Sequence, residues 1–350
     1  MRGGISRLLR LLEDIFIKSE APENDQQTAL PECQCSQNHL CQVPEDPKTN
    51  RILQVRFVWR GYAKAWGSTI LRSHQLAQML GLFDSKINAK SVSIAALGAA
   101  GEPVDVVVLH KTALEYRFLD RVLKRLKSEG ATTILDLVDG DPRKSKWVEP
   151  QIDAYMCASH SEFRYRRQRG QKATFVAHQL NSMFKPTPPV QTSFKVGYVG
   201  APLNALHLHE LSIPSRTPGF SLQPKEKDDL LSFLTSLTHH YSVRNYLPTD
   251  GFKPGLKIYM AAHFGATFIG STDDPESLAL LGHDYPYLSA DSSLEEVKKT
   301  IALAQKSFGG ELHQIARQRL DNLRSEFCSA RVMGVLQQMI WKVSENNFQR

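Results

Sequence analysis

Short apolar runs alternate with amphipathic segments along the chain from residue 51 onwards. The runs have the length of buried strands, and the segments between them place apolar residues at helical spacing. Strands that alternate with helices predict an α/β fold with a parallel sheet covered on both faces. In the first half, strands are predicted at 52–59, 91–97, 104–110, 132–139, 154–159 and 173–179, with a helix at 68–83 after Gly67.

A proline-rich connector at 181–193 interrupts this alternation, which then restarts. The second half is predicted to have strands at 194–200, 239–246 and 266–271, and helices at 226–237, 256–265, 275–282, 293–307 and within 310–343. Two α/β units of similar size predict two Rossmann-like domains that face each other across a cleft. The predicted boundaries are 51–188 for the N-terminal domain, 189–318 for the C-terminal domain, and 319–350 for a C-terminal helix that crosses back to the N-terminal domain.

The first 50 residues differ from the rest in pattern. Residues 5–16 predict an amphipathic helix, which could dock on the protein itself, on a partner helix or on a membrane surface. Residues 18–50 are polar and predict a linker. The linker contains a short Cys/His cluster, but without a distant second Cys or His pair we expect reduced thiols rather than a zinc site. The cluster consists of Cys33, Cys35, His39 and Cys41.

Charge narrows the choice of partners. The chain of 350 residues has a formal net charge of +7, which favours anionic partners such as phosphorylated small molecules, acidic lipids or nucleic acid. No apolar run approaches the length of a membrane span, and charged residues interrupt the apolar stretch near the N-terminus, which argues against a cleavable signal. We therefore expect a cytoplasmic protein, with peripheral membrane association as an option.

Three strand-to-helix connections are candidates for binding phosphate, because ligands of parallel sheets lie beyond the carboxyl ends of the strands. The first contains Gly67 and Ser68, and the second contains Gly200. The third combines three cations: Arg244, with Lys253 and Lys257 beside the start of the helix at 256–265. Cations at a helix N-terminus oppose the helix dipole, and a bound anion would remove that penalty. No G-x-G-x-x-G fingerprint occurs, which argues against a dehydrogenase.

Residues 51–343 resemble the nucleotide-sugar-dependent GT-B glycosyltransferases of the family 1 and family 4 kind. The resemblance is most specific over residues 239–288, which contain a His-x-x-x-Arg motif, then Lys-Pro-x-x-Lys before an alanine-rich helix, then G-x-x-x-I-x-S and a downstream acid. It implies transfer of a sugar from a nucleotide-sugar to an acceptor, which could be a glycan, a lipid-linked molecule or a small molecule. It implies no cofactor and no metal, since cationic side chains would neutralise the diphosphate. Nucleic acid is not an expected partner.

The resemblance also assigns roles to residues of this chain. Arg244, Lys253 and Lys257 would hold the donor diphosphate as a leaving group, and Glu276 would contact the donor's sugar or ribose. The complete set of predicted donor-binding residues is Gly67, Ser68, Gly200, Arg244, Lys253, Lys257, Ser271 and Glu276.

An acceptor hydroxyl must lose its proton during transfer, so an acid or histidine at the end of a strand is needed. Asp139 is the first candidate for this catalytic base and His178 the second. Met260 stands where many retaining members carry a glutamate, and this leaves the stereochemical outcome open. Two alternative functions also remain: a non-catalytic binding protein with this fold, and a nucleotide-sugar epimerase.

Residues 161–172 are strongly basic and include two aromatic side chains. A solvated helix face, attraction to acidic lipid or a phosphorylated acceptor, and nucleic-acid binding are three interpretations, in that order.

Overall fold

The computed structural model describes residues 51–63, 67–99, 102–180, 193–217, 224–244 and 252–348. The predicted amphipathic helix at 5–16, the polar segment with its cysteines and the proline-rich connector up to residue 192 lie outside these residues.

The N-terminal half forms a six-stranded parallel sheet in the order β2-β1-β3-β4-β5-β6. Its inner strands are rich in valine, isoleucine and leucine and are buried on both faces, as parallel sheets require. The strands are β1 Leu53–Trp59, β2 Ile87–Ser93, β3 Val106–His110, β4 Thr132–Asp136, β5 Ala154–Cys157 and β6 Ala173–Phe175.

The C-terminal half forms a five-stranded parallel sheet in the order β11-β10-β9-β7-β8. Two parallel sheets with helices around them confirm the predicted α/β architecture. The strands are β7 Val196–Val199, β8 Ser215–Arg216, β9 His239–Tyr241, β10 Thr267–Ser271 and β11 Leu288–Ser289.

Ten helices of the described chain connect and cover these strands. They are α1 Gln75–Phe83, α2 Ile94–Ala99, α3 Leu119–Ser128, α4 His160–Gln168, α5 Pro224–Ser236, α6 Leu256–His263, α7 Pro275–Leu281, α8 Leu294–Lys306, α9 Glu311–Glu326 and α10 Ser329–Phe348. Shorter helical turns lie at Gly61–Ala63, Gly67–Thr69, Ile70–His74, Lys111–Glu115, Pro142–Ser145, Glu149–Gln151 and Pro202–Asn204. The turn Ile70–His74 is π-helical and runs directly into α1.

The structure corrects two sequence-based boundaries. The predicted strand at 91–97 is wrong in its second half, because the strand begins at Ile87 and residues Ile94–Ala99 form α2. β2 is an edge strand with mixed polar and apolar residues, so its first residues lack the apolar pattern of a buried strand. The strand predicted at 239–246 ends at Tyr241.

Helix α10 packs on the N-terminal half. Its Gln337 and Trp341 side chains both donate hydrogen bonds to Asp84 Oδ2, at 2.7 and 3.0 Å. Burial tends to raise the pKa of Asp84, but these two hydrogen bonds, together with the backbone N–H and the charge of Lys86, outweigh it and the pKa is lowered. One apolar cluster contains residues of both sheets together with α10, so the two halves share a core.

Each sheet has one position where the strand order reverses. In the first sheet it lies between β1 and β3, and in the second between β7 and β9. Ligands of such sheets bind beyond the carboxyl ends of the strands at these positions. Helix α4 follows β5 and helix α7 follows β10, and the N-terminal ends of the two helices touch through His160 and Glu276. The two carboxyl edges therefore face each other.

Candidate functional site

Gly200 and Arg244 lie on the two sides of the reversal point in the second sheet. Gly200 follows β7 directly, and Arg244 follows β9 by three residues. Gly200 has φ +146°, and a Cβ there would come within 2.7 Å of Tyr198 Oη. Glycine is therefore required at position 200, and its bare backbone makes room for the Tyr198 side chain.

Lys257 lies in the first turn of α6, and its Nζ is 4.9 Å from the centroid of the Tyr198 ring. Burial, together with the positive charges of Arg244 and Lys253, lowers the pKa of Lys257 to about 8, against a smaller opposing effect of Asp274. Within the described part of the chain, no carboxylate lies within ion-pair distance of Lys257. The predicted three cations therefore do come together, and we call Arg244, Lys253 and Lys257 the cation cluster.

Asp274 fixes Arg244 from the side of α7. Its Oδ2 lies 3.8 Å from the Arg244 guanidinium, and its Oδ1 accepts a hydrogen bond from Glu276 N at 3.0 Å as the N-cap of α7. Ser271, at the end of β10, is buried and its Oγ accepts from Asp273 N. Ser271 thus shapes the turn that presents Asp274 to Arg244.

Met260 packs on an apolar cluster formed by β7, α5 and the end of α6. The cluster consists of Val199, Leu230, Leu234 and Phe264. Met260 is itself partly buried, and an apolar side chain suits this contact.

Glu276 is buried and contacts the N-terminal half rather than the cation cluster. Its two carboxylate oxygens lie 3.1 and 2.9 Å from the backbone nitrogen of His160, and Oε1 lies 3.1 Å from His160 Nδ1. His160 is the first residue of α4, after the N-cap Ser159. The carboxylate therefore sits at a helix N-terminus, where the unpaired N–H groups and the helix dipole favour an anion.

The predicted bases Asp139 and His178 lie near each other at the carboxyl edge of the first sheet. Asp139 is half-exposed and pairs with Lys111, which follows β3. His178 is buried, and its Nδ1 lies 3.2 Å from the carbonyl oxygen of Gln179. Burial and the charge of Arg72 lower the pKa of His178 to about 3, against smaller opposing effects that include the charge of Asp139. The lowered pKa makes the imidazole of His178 a weak base at neutral pH.

A buried ion pair that the sequence did not predict lies beneath this edge. Arg72 Nε is 2.8 Å from Asp136 Oδ2, and both side chains are almost completely buried. Arg72 Nη1 also donates to the carbonyl oxygens of Val176 and Ala177. The lone arginine in an apolar helix segment and the aspartate within a strand were the available signals.

His110 adjoins this pair, because it lies opposite Asp136 in the register of β3 and β4. Its Nδ1 is 2.9 Å from Thr112 Oγ1. Burial, with the nearby charges of Lys111 and Arg72, lowers its pKa to about 3. Two residues beyond Asp136, Val138 has φ +62°, an unusual value for a β-branched residue that marks local strain in the loop before Asp139.

Gly67 and Ser68 belong to a helical turn after β1, and both are partly exposed. No atom lies within 4 Å of the position that a Gly67 Cβ would occupy. The structure places them at the carboxyl edge of the first sheet, whereas the cation cluster lies at the carboxyl edge of the second.

Two further observations concern the described residues as a whole. None of their helices is long and apolar enough to cross a membrane. No group of three or more His, Cys, Asp or Glu side chains among them is arranged to hold a metal ion.

Two facing parallel α/β sheets, each with its own reversal point at a shared cleft, define the GT-B fold. Solved structures agree over most of the chain. Anabaena Alr3699/HepE in complex with UDP and glucose has a TM-score of 0.60 at 10% identity, covering 84% of this chain and 100% of HepE. A glycosyltransferase from Rickettsia africae ESF-5 has a TM-score of 0.60 at 10% identity, covering 85% and 100%.

Sucrose-phosphate synthase from Thermosynechococcus elongatus has a TM-score of 0.55 at 12% identity, covering 83% of this chain and 99% of the synthase. No protein-family model matches the sequence, and no curated protein is detectably similar to it. At these identities the likeness establishes the fold.

Proposed function

We propose that this protein is a glycosyltransferase that moves a sugar from a nucleotide-sugar to an acceptor bound in the cleft. The observation that supports this proposal most strongly is the cation cluster at the reversal point of the second sheet. Lys257 is partly buried without a carboxylate partner among the described residues, and burial together with the cations beside it lowers its pKa to about 8. Such a concentration of positive charge is costly unless an anion such as a diphosphate joins it.

In the proposed reaction, the bond between the anomeric carbon and the diphosphate oxygen breaks while the acceptor oxygen bonds to that carbon. Lys257 and Arg244 stabilise the negative charge that develops on the departing diphosphate, as fixed cations do in a site shielded from water. Asp139 takes the proton of the acceptor hydroxyl, and Lys111 holds its carboxylate in place. We propose that these side chains make a metal unnecessary.

Titration with UDP tests the donor assignment, and UDP is the first nucleotide to try because HepE is described with it. Lys257→Ala and Arg244→Ala should each weaken binding by roughly 10- to 100-fold, the effect of losing a charged hydrogen bond. Lys298→Ala, an exposed lysine on α8, is the matched control and should bind normally. Wild-type affinity in both cluster variants, or no binding of any nucleoside diphosphate, would remove the assignment.

A second candidate function is nucleotide-sugar binding without catalysis, and the apolar surroundings of Met260 favour it. Incubation with UDP-sugars and a set of acceptors separates the possibilities. A transferase releases UDP when an acceptor is present, an epimerase changes the sugar without releasing UDP, and a non-catalytic protein does neither.

A further inference from the structure

One face of the N-terminal sheet carries a continuous outer layer made of α3, the segment 142–151 and α4. Apolar residues of all three pack into the same core on that face, represented by Leu123, Val148 and Phe163. Polar contacts join the three elements as well. Gln151 Nε2 donates to Asp120 Oδ1 of α3 at 2.7 Å, and Arg166 of α4 donates to Glu149 Oε1 at 2.9 Å.

The outer surface of this layer is strongly basic. Residues 111–172 contain fourteen lysines and arginines against nine aspartates and glutamates, so most of the chain's excess positive charge falls within them. Several of the acids are already matched by cations of the same layer, as in the pairs of Lys124 with Asp120 and Arg166 with Glu149.

Other exposed cations of the layer have no ion-pair partner in the described part of the chain. We call the surface formed by six of them the basic face. They are Arg117, Arg121, Lys144, Lys146, Arg164 and Arg167. Arg166 does not belong to it, because its guanidinium is fully buried and stacks on Tyr155.

Two large aromatic side chains stand exposed among these cations. Trp147 is 53% exposed next to Lys146, and Phe118 is 47% exposed. The guanidinium carbons of Arg117 and Arg121 lie 5.4 and 5.9 Å from the Phe118 ring centroid. Aromatic rings favour the boundary between lipid headgroups and acyl chains, and lysine and arginine favour anionic headgroups. Nucleic-acid strands are instead bound by a row of stacked rings, and two isolated rings do not form one.

We propose that the basic face docks on a bilayer that contains anionic lipids. Lys144 of the basic face adjoins Arg143 in the chain, and the Arg143 guanidinium lies 5.8 Å from the ring of Phe252, the residue before Lys253. The basic face therefore borders the cleft. Docking therefore presents the cleft to the membrane surface. If the proposed transferase function holds, the acceptor is then an amphiphile whose hydroxyl head projects from the bilayer. Vesicle binding itself does not depend on that function.

Co-sedimentation of the full chain with vesicles tests the proposal. We expect binding to phosphatidylcholine vesicles that contain phosphatidylglycerol, and little binding to pure phosphatidylcholine. Each basic residue near an anionic surface contributes about fivefold, so Lys144→Glu/Lys146→Glu should weaken binding by about 30-fold or more. Trp147→Ala should weaken it independently. The matched controls on α8 are Lys298→Glu/Lys306→Glu for charge and Leu303→Ala for apolar area.

An equal loss of vesicle binding in Lys298→Glu/Lys306→Glu would show that net charge alone attracts the protein to the vesicles. That result would overturn the proposal. So would unchanged binding in Lys144→Glu/Lys146→Glu, which would place the contact elsewhere, for example in residues 5–16. Binding of a single-stranded RNA oligonucleotide that depends on Lys144 and Lys146, without vesicle binding, would overturn it in favour of nucleic acid. If Lys144→Glu/Lys146→Glu loses vesicle binding but keeps normal UDP affinity, membrane docking is distinguished from donor binding.

Discussion

Glu276 and His160 join the two halves of the protein across the cleft. The carboxylate of Glu276 accepts the backbone N–H of His160 at 2.9 Å and also contacts the His160 ring. Both residues lie in the first turns of helices that start at the carboxyl edges of their sheets. This contact fixes how the carboxyl edges of the two sheets face each other.

Removing this carboxylate should destabilise the protein. Glu276→Ala leaves the part-buried N–H of His160 without its acceptor, and we expect a loss of about 1–3 kcal/mol in the free energy of unfolding. Urea denaturation measures it. Glu295→Ala, at an exposed site on α8, is the control and should change little. Equal effects of the two substitutions would mean that the His160 contact contributes nothing.

The affinity for UDP should fall as the pH rises through about 8. In the free protein, Lys257 is protonated below its lowered pKa of about 8 and neutral above it, so its attraction for a diphosphate is lost with rising pH. Calorimetry across this pKa should also show proton uptake on binding near pH 8. Lys257→Met should bind weakly at every pH and lose the uptake. The same pH profile in Lys257→Met and wild type would assign the titration to another group.

Asp139→Asn should lower the transfer rate by about 10²- to 10⁴-fold, as expected for loss of a general base. The UDP affinity should stay unchanged, because Asp139 lies at the carboxyl edge of the first sheet and the cation cluster lies at that of the second. Steady-state rates and UDP titration on the same preparation test both halves of this expectation. A normal rate in Asp139→Asn together with a slow His178→Gln variant would move the role of base to His178.

Gly200→Ala should weaken both stability and UDP binding. The new methyl group would meet Tyr198 Oη at 2.7 Å, and the backbone at φ +146° is strained for alanine. We expect a cost of about 1–3 kcal/mol in thermal or urea unfolding. Gly61→Ala is the control, since no atom lies within 4 Å of the position that its new methyl group would occupy and its φ is not positive. A stable Gly200→Ala variant would show that Tyr198 can move aside.

Arg72→Met should cost about 3–5 kcal/mol in the free energy of unfolding, because Asp136 would remain buried without its cation. The double variant Arg72→Met/Asp136→Leu should recover part of that loss, since it leaves no buried charge behind. Urea denaturation of the two variants measures the difference. A double variant that is less stable than Arg72→Met would show that the cost comes from packing.

Apolar runs predicted the inner strands because those strands are buried on both faces, as in β3 and β4. The same reasoning failed at β2, where an edge strand needs fewer apolar residues and its first residue is Ile87. The cation cluster could be predicted from the sequence because Lys253 and Lys257 are close along the chain and Arg244 precedes them closely.

The sequence by itself determined the alternation of strands and helices, and with it two parallel sheets and a set of cations beside one helix N-terminus. These features depend on local periodicity and on residues that are close along the chain. Only the tertiary structure decided that Glu276 caps α4, that Arg72 is buried against Asp136, and that Trp147 stands exposed among lysines. The first two join residues 116 and 64 positions apart, and burial depends on which elements pack together. No local sequence pattern predicts such long-range contacts or the exposure of Trp147.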